Sequence, residues 1–221
     1  HRRRQRRPFV ASSHALTEAT RPNDVWCADY KGQFRLANGQ YCYPLTITDQ
    51  MSRFIIGCEG FTAIDALTAR AVFEDRFSRY GLPLVIRTDN GAPFASHGLF
   101  GLSRLSVFWL KLGIVPQRIE PGEPQQNGRH ERMHRTLKED TTRPAASTLL
   151  QQQERFDTFV DTFNGSRPHE APGQKPPATV FSPSPRQFVS SGDLEYPLHD
   201  EVRRVATSGH INAARGRRNR A

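Results

Sequence analysis

Three acids in this chain could do joint chemistry: Asp29, Asp89 and Glu131. Asp89 follows the apolar run Leu84-Val85-Ile86 and precedes Asn90-Gly91-Ala92-Pro93-Phe94. That pattern predicts a buried strand ending in a tight turn with an acid at its tip. Such an acid can project into a crevice and hold a hard cation through oxygen. The same Thr-Asp-Asn-Gly can instead be an Asx-turn, in which Asp89 bonds its own backbone. On the metal reading, the Asn90-Gly91 turn frees the strand end, so that Asp89 faces an ion and not its own backbone. Further carboxylates at the same spot decide between the two.

Asp29 supplies one. It sits in the middle of a predicted first strand running from Val25 to Phe34. Two carboxylates held close together repel and share a proton unless a cation lies between them. Glu131 supplies the third, from a polar helix predicted over Asn127 to about Thr142. At 100° per residue, Asn127, His134, Arg135 and Lys138 fall within roughly 60° of Glu131, with Met133 and Leu137 opposite. One face would pack, and the other would present an acid among groups suited to gripping phosphate. The plain alternative is a solvated helix face with a Glu131–Arg135 surface pair, worth only a few tenths of a kcal/mol. Glu120 and Glu123 are rivals for the third position. They lie in a Pro/Gly-rich loop, which holds a ligand less firmly than a helix does. Asp49 reads as a structural turn acid.

The elements that must position these acids follow from periodicity. Strand-like runs at Val25 to Phe34, Tyr41 to Thr48 and Arg53 to Phe61 predict an antiparallel meander. Its first connection carries an Asn38-Gly39 hairpin signal. Ala63 to Tyr80 switches to helical spacing and stops at Gly81 and Pro83. The strand Leu84–Thr88 then implies a parallel crossover. A helix over Leu99 to Leu112 leads to a fifth strand, Ile114 to Ile119. After the polar helix comes another, Ala145 to Phe163. The fold class is α/β: a mixed five-stranded sheet, ordered 3-2-1-4-5 in sequence numbering, flanked by helices. That order makes the strands bearing Asp29 and Asp89 neighbours.

The chain has 221 residues, enough for one core of ordinary size with small appendages. No apolar run reaches the length of a membrane span, and no apolar stretch follows the basic start, so no secretory signal is expected. Cys27, Cys42 and Cys58 lack metal-ligand spacing and read as buried thiols in a reducing cytoplasm. Of 31 basic residues, five arginines lie in residues 1–7 and four in residues 215–220. Less these nine, the body has 22 basic residues against 22 acidic ones. The tails therefore carry the +9 net charge, a pattern suited to binding polyanions without sequence preference. The domain reading is a basic arm or linker at 1–22, a core at 23–164, a proline-rich strap or linker at 165–192, and a C-terminal segment at 193–221.

Three motifs in order complete the pattern: Trp26-Cys27-Ala28-Asp29-Tyr30-Lys31-Gly32, Thr88-Asp89-Asn90-Gly91-Ala92-Pro93-Phe94, and Pro124 through Lys138 with Asn127-Gly128 and Glu131 inside it. They resemble the catalytic core of the DDE integrases and transposases of bacterial insertion sequences, relatives of the retroviral integrases. The resemblance covers about residues 22–185 and includes Arg167-Pro168-His169-Glu170-Ala171. It implies a ribonuclease-H-like fold, with Asp29, Asp89 and Glu131 as catalytic and metal-binding acids for two Mg²⁺ or Mn²⁺ ions about 4 Å apart. It implies cleavage at an element end followed by strand transfer into target DNA, with no covalent enzyme intermediate. Lys31, Asn127, His134, Arg135 and Lys138 would contact double-stranded DNA, at transposon ends and target. A homo-oligomer on DNA is expected, since joining two ends needs two sites. The location would be the bacterial cytoplasm, at the nucleoid, with no membrane partner.

The resemblance has departures. The 41 residues between Asp89 and Glu131 are more than in the retroviral relatives. No helix-turn-helix region precedes the core, and residues 193–221 resemble only the beginning of a small β-barrel, so the chain reads as a fragment or a shifted frame. Two other functions are compatible with the residues: a non-catalytic DNA-binding remnant, and a ribonuclease acting on RNA–DNA hybrids.

Overall fold

The alternation of Val25 to Tyr30 decides which side of the sheet every later residue occupies. A computed structural model describes residues 16–30, 32–96, 101–119, 128–166 and 175–189. The basic tails and the expected barrel segment lie outside these residues. The first strand, β1, spans Val25–Tyr30. It pairs antiparallel with β3 (Tyr41–Asp49), which pairs antiparallel with β4 (Ile55–Phe61). On its other side β1 pairs in parallel with β5 (Val85–Thr88), which pairs in parallel with β6 (Val115–Arg118). A two-residue strand, β2 (Phe34–Arg35), adds to β3. The long strands thus follow the 3-2-1-4-5 order expected from the sequence. The difference is at β1, which stops at Tyr30, with Phe34 and Arg35 forming the separate β2. Asp29 is therefore near a strand end and not in mid-strand.

Because side chains alternate along a strand, Trp26 and Ala28 share one face with Leu45, Ile47 and Ile86. Helix α1 (Ala66–Tyr80) covers that face with Ala69, Phe73 and Phe77. Helix α2 (Arg104–Lys111) adds Leu105 and Trp109. Asp65 caps α1, its carboxylate accepting from the N–H groups of Leu67 (2.8 Å) and Thr68 (2.9 Å). The cap explains why the helix begins at Ala66 and not at Ala63.

The opposite face carries Ile55 and Cys58, under α3 (Gly128–Thr141) and α4 (Leu149–Ser166). Met133, Leu137, Phe156, Phe159 and Phe163 form the seam. Gln152 is fully buried and ties the α3–α4 connection, donating to the Thr141 carbonyl and accepting from the Ala146 N–H. All three cysteines are buried thiols with no disulfide between them.

The proline-rich stretch is fastened to the core over residues 175–189. A short helix, α5 (Pro177–Val180), leads into it. Phe181 stacks on Phe54 at 4.3 Å. The Ser184 N–H donates to the Tyr80 carbonyl, and the Leu82 N–H to that of Arg186. Gly81 has φ of 75°, and a Cβ there would stand 2.6 Å from the Ser184 carbonyl oxygen. Only glycine suits this crossing.

Asn164 completes β4 as a strand would. Its Oδ1 accepts from the Ile55 N–H at 2.8 Å and its Nδ2 donates to the Ile55 carbonyl at 3.1 Å. Replacing Asn164 by Leu keeps the volume but strands both buried backbone groups. Unfolding in urea is expected to show a loss of about 2 kcal/mol or more at unchanged m value.

Candidate active site

Two of the three acids lie at the adjoining ends of neighbouring strands. In the parallel β1–β5 pair, Ala28 stands opposite Thr88. Asp29 is the next residue of β1, and Asp89 directly follows the last residue of β5. Adjacent strands lie about 4.8 Å apart, and residues at matching positions point to the same face. That face is the one α3 covers, since Asp29 is also the cross-strand partner of Thr46, whose hydroxyl contacts α3. Asp29 keeps about a quarter of its side chain exposed.

Asp89 combines the two sequence readings. Its Oδ1 accepts from the Gly91 N–H at 3.0 Å, so the carboxylate does bond its own backbone. The expectation that the turn would free it of such a bond is corrected. A Cβ on Gly91 would lie 2.9 Å from Oδ2, so a larger residue here would push the Asp89 carboxylate aside. Asn90 Nδ2 donates to the Ile119 carbonyl at 2.9 Å and ties the tip of β5 to the end of β6.

Glu131 lies in the first turn of α3 and is exposed. Arg135 and Lys138 are exposed on the same helix. His134 is not with them. It is 2% exposed, as is His130, and both join the buried arc with Met133, Leu137 and Thr141. That arc spans about 100° of the helix. A side chain so enclosed does not present itself to DNA in this structure. The helical wheel misplaced it because a histidine was counted as polar surface, whereas its partners are buried hydroxyls. Lys31 and Asn127 fall outside the described residues.

Those hydroxyls come from β3. Thr46 Oγ1 lies 2.9 Å from His130 Nε2 and 2.5 Å from His134 Nε2, and donates to the Asp29 carbonyl at 3.2 Å. Thr48 Oγ1 lies 2.7 Å from His130 Nδ1. The rings meet edge to face at 4.4 Å. His134 Nδ1 stands 3.8 Å from Asp29 Oδ2. Among the described residues, the set of possible metal ligands converging within 4.8 Å is Asp29, His130 and His134; Asp89 and Glu131 stand outside it. His130 received no role from the sequence. The signal was available: histidines four apart share a helix face, and two threonines two apart on a strand share a sheet face. Nearby, burial, reinforced by Asp65, pushes the Tyr30 phenol up to about 12, so it stays protonated.

A mixed sheet with a parallel crossover and helices on both faces define a ribonuclease-H-like α/β fold. Two family models, each described as Integrase core domain, match residues 19–124 and 112–177. The chain belongs to the integrase core domain family. It is 30% identical over 187 residues to an uncharacterized 39.2 kDa protein of insertion element IS476 from Xanthomonas euvesicatoria, covering 80% of this chain and 49% of that protein. It is 32% identical over 140 residues to the Gag-Pol polyprotein of baboon endogenous virus, covering 63% of this chain and 8% of the polyprotein. The chain thus spans about half of the insertion-element relative and a small part of the viral one. The magnesium-bound HTLV-2 integrase catalytic core domain aligns with a TM-score of 0.58 at 18% identity, over 74% of this chain and 99% of that one. A simian T-cell lymphotropic virus intasome chain gives 0.63 at 18% identity, over 81% and 62%. At such identity the likeness concerns the fold alone. No helix among the described residues is long and apolar enough to cross a membrane.

The Thr46 hydroxyl holds two buried rings and a strand carbonyl at once. Thr46→Val keeps the shape and removes that junction. A loss of about 1–3 kcal/mol is expected from urea midpoints, with Thr46→Ser retaining most of the stability.

Proposed function

We propose that this chain cleaves and joins DNA strands, as the catalytic part of an insertion-sequence transposase. The observation that carries the reading is the placement of Asp29 and Asp89 one step past the Ala28–Thr88 pair, in a chain of the integrase core family. The donor set fits a hard divalent cation: carboxylates at the adjoining ends of neighbouring strands, with Asp29 partly open to solvent. The third carboxylate is Glu131. It follows His130 directly, and His130 is held to Thr46, the cross-strand partner of Asp29. The magnesium named with the HTLV-2 core supports Mg²⁺, with Mn²⁺ as its substitute.

Bound between these acids, two such ions would neutralise charge on the scissile phosphate and activate a water or a DNA 3′-hydroxyl. The chain's own residues do the positioning. β1 and β5 present the two aspartates at their adjoining ends. The Gly91 N–H fixes one oxygen of Asp89. Arg135 and Lys138, exposed on α3, grip DNA phosphates, joined by Lys31 and Asn127. The reaction is hydrolysis at the element end, then transesterification into target DNA. Joining two ends takes two copies of the site, so the working form is a dimer or larger assembly on DNA.

Asp89→Asn is expected to lower strand transfer on short element-end duplexes by at least about a hundredfold, with DNA affinity nearly unchanged. Retained joining would sink the assignment. Degradation of RNA–DNA hybrids without joining would instead indicate a ribonuclease. A second expectation concerns the grip: Arg135→Ala and Lys138→Ala should weaken DNA binding across sequences. Each should reduce the slope of log affinity against log salt by about one, as measured by fluorescence anisotropy from low to physiological salt.

A further inference from the structure

The stretch His130-Glu131-Arg132-Met133-His134 lies on one helix and has the H-E-x-x-H spacing, which sets two imidazoles on one face for a metal. Here that face is turned inward onto Asp29, and the three residues bring possible ligand atoms within 4.8 Å of one another. We propose that His134, His130 and Asp29 form a nitrogen-rich site for a borderline divalent metal of the zinc class, with His134 Nδ1 and Asp29 Oδ2 as its first two ligands.

The hydrogen bonds favour the ligating form of His134. A backbone carbonyl only accepts, so the single Thr46 hydroxyl proton goes to the Asp29 oxygen. Thr46 Oγ1 must then accept from His134 Nε2, 2.5 Å away. That nitrogen carries the hydrogen, and in the neutral ring the Nδ1 lone pair faces Asp29 Oδ2 at 3.8 Å. A cation between that nitrogen and the carboxylate would be held by both. Zinc ligands sit about 2.0–2.2 Å from the ion, so two ligands on one ion are separated by at most about 4.2 Å. The observed 3.8 Å fits, and His130 would join by exchanging one of its bonds to Thr46 or Thr48 for the metal. A ligating histidine normally donates its other N–H to a fixed acceptor, which holds its tautomer. Thr46 fills that role for His134.

The ligand types set the preference. Imidazole suits zinc and its neighbours, whereas carboxylates alone suit magnesium. This site therefore differs in metal class from the pair of aspartates. Because Asp29 belongs to both, zinc here withdraws it from a magnesium ion. Binding itself does not depend on the strand-transfer reading.

The test is zinc titration of the full chain, followed by long-range ¹H–¹⁵N spectra of the histidine rings. Without metal, His134 is expected as the neutral Nε2–H tautomer. One equivalent of Zn²⁺ should shift its Nδ1 resonance and leave the Nε2–H in place. By calorimetry, His134→Asn should weaken Zn²⁺ binding at least tenfold and change Mg²⁺ binding less than threefold. His130→Asn should weaken Zn²⁺ binding by a smaller factor. Ring nitrogens of His130 and His134 unmoved by zinc overturn the site. So does a His134 found doubly protonated at neutral pH, which makes the contact an ion pair with Asp29. Loss of strand transfer alone bears on neither result.

Discussion

The parallel pairing of β1 with β5 is the constraint on which the rest depends. Parallel neighbours cannot be joined by a tight turn, so the chain must cross over the sheet between them. Here it does so through β3, β4 and α1, and α1 lays Phe73 and Phe77 on the side occupied by Trp26 and Ile86. A one-residue slip in this pair would send the side chains of one strand to the wrong face. It would push Ile86 out of the aromatic core and separate Asp89 from Asp29. The same register therefore specifies the hydrophobic core and the alignment of the acids. The site cannot drift without cost to stability.

The other face is organised by a polar contact. α3 packs with Met133 and Leu137 into a seam of phenylalanines from α4. Such packing tolerates sliding, because one apolar contact replaces another at little cost. The Thr46 and Thr48 hydroxyls do not tolerate it. They meet His130 and His134 at 2.5–2.9 Å, distances that a shift of a single turn would abolish. Buried polar groups are costly when unpaired, so these bonds set the axial position of the helix. Glu131, next to His130, inherits that position.

Much of this was legible in the sequence. The strand-like run at Tyr41 to Thr48 and the short apolar run ahead of Asp89 marked their strands, and the change of period at Ala63 marked the crossover helix. The strand of Asp29 and the strand leading to Asp89 could be set side by side from strand order alone. What escaped notice was short or depended on a partner distant in sequence. β2 has two residues, too few for a period. His134 looked like surface because its hydroxyl acceptor lies 88 positions away. Asn164 lies just past the predicted helix and carried no reading of its own, whereas it serves as a strand partner to Ile55, 109 positions earlier. Residues 175–189 looked like linker by composition, since prolines and serines do not announce that their backbone will be used for hydrogen bonding.

That strap has a bearing on how the protein comes into being. Asn23, at the entrance to the first strand, donates to the Ser182 carbonyl across 159 positions. Phe54 waits for Phe181 as its stacking partner, and the Leu82 N–H waits for Arg186. A chain emerging from the ribosome presents β1 through α2 first, with these places bare. The core is closed only when nearly the whole of the described chain has been synthesised. Contacts of such separation are the slow ones to form. Until then the end of α1 and the segment leading into β5 lack the backbone partners that the strap supplies.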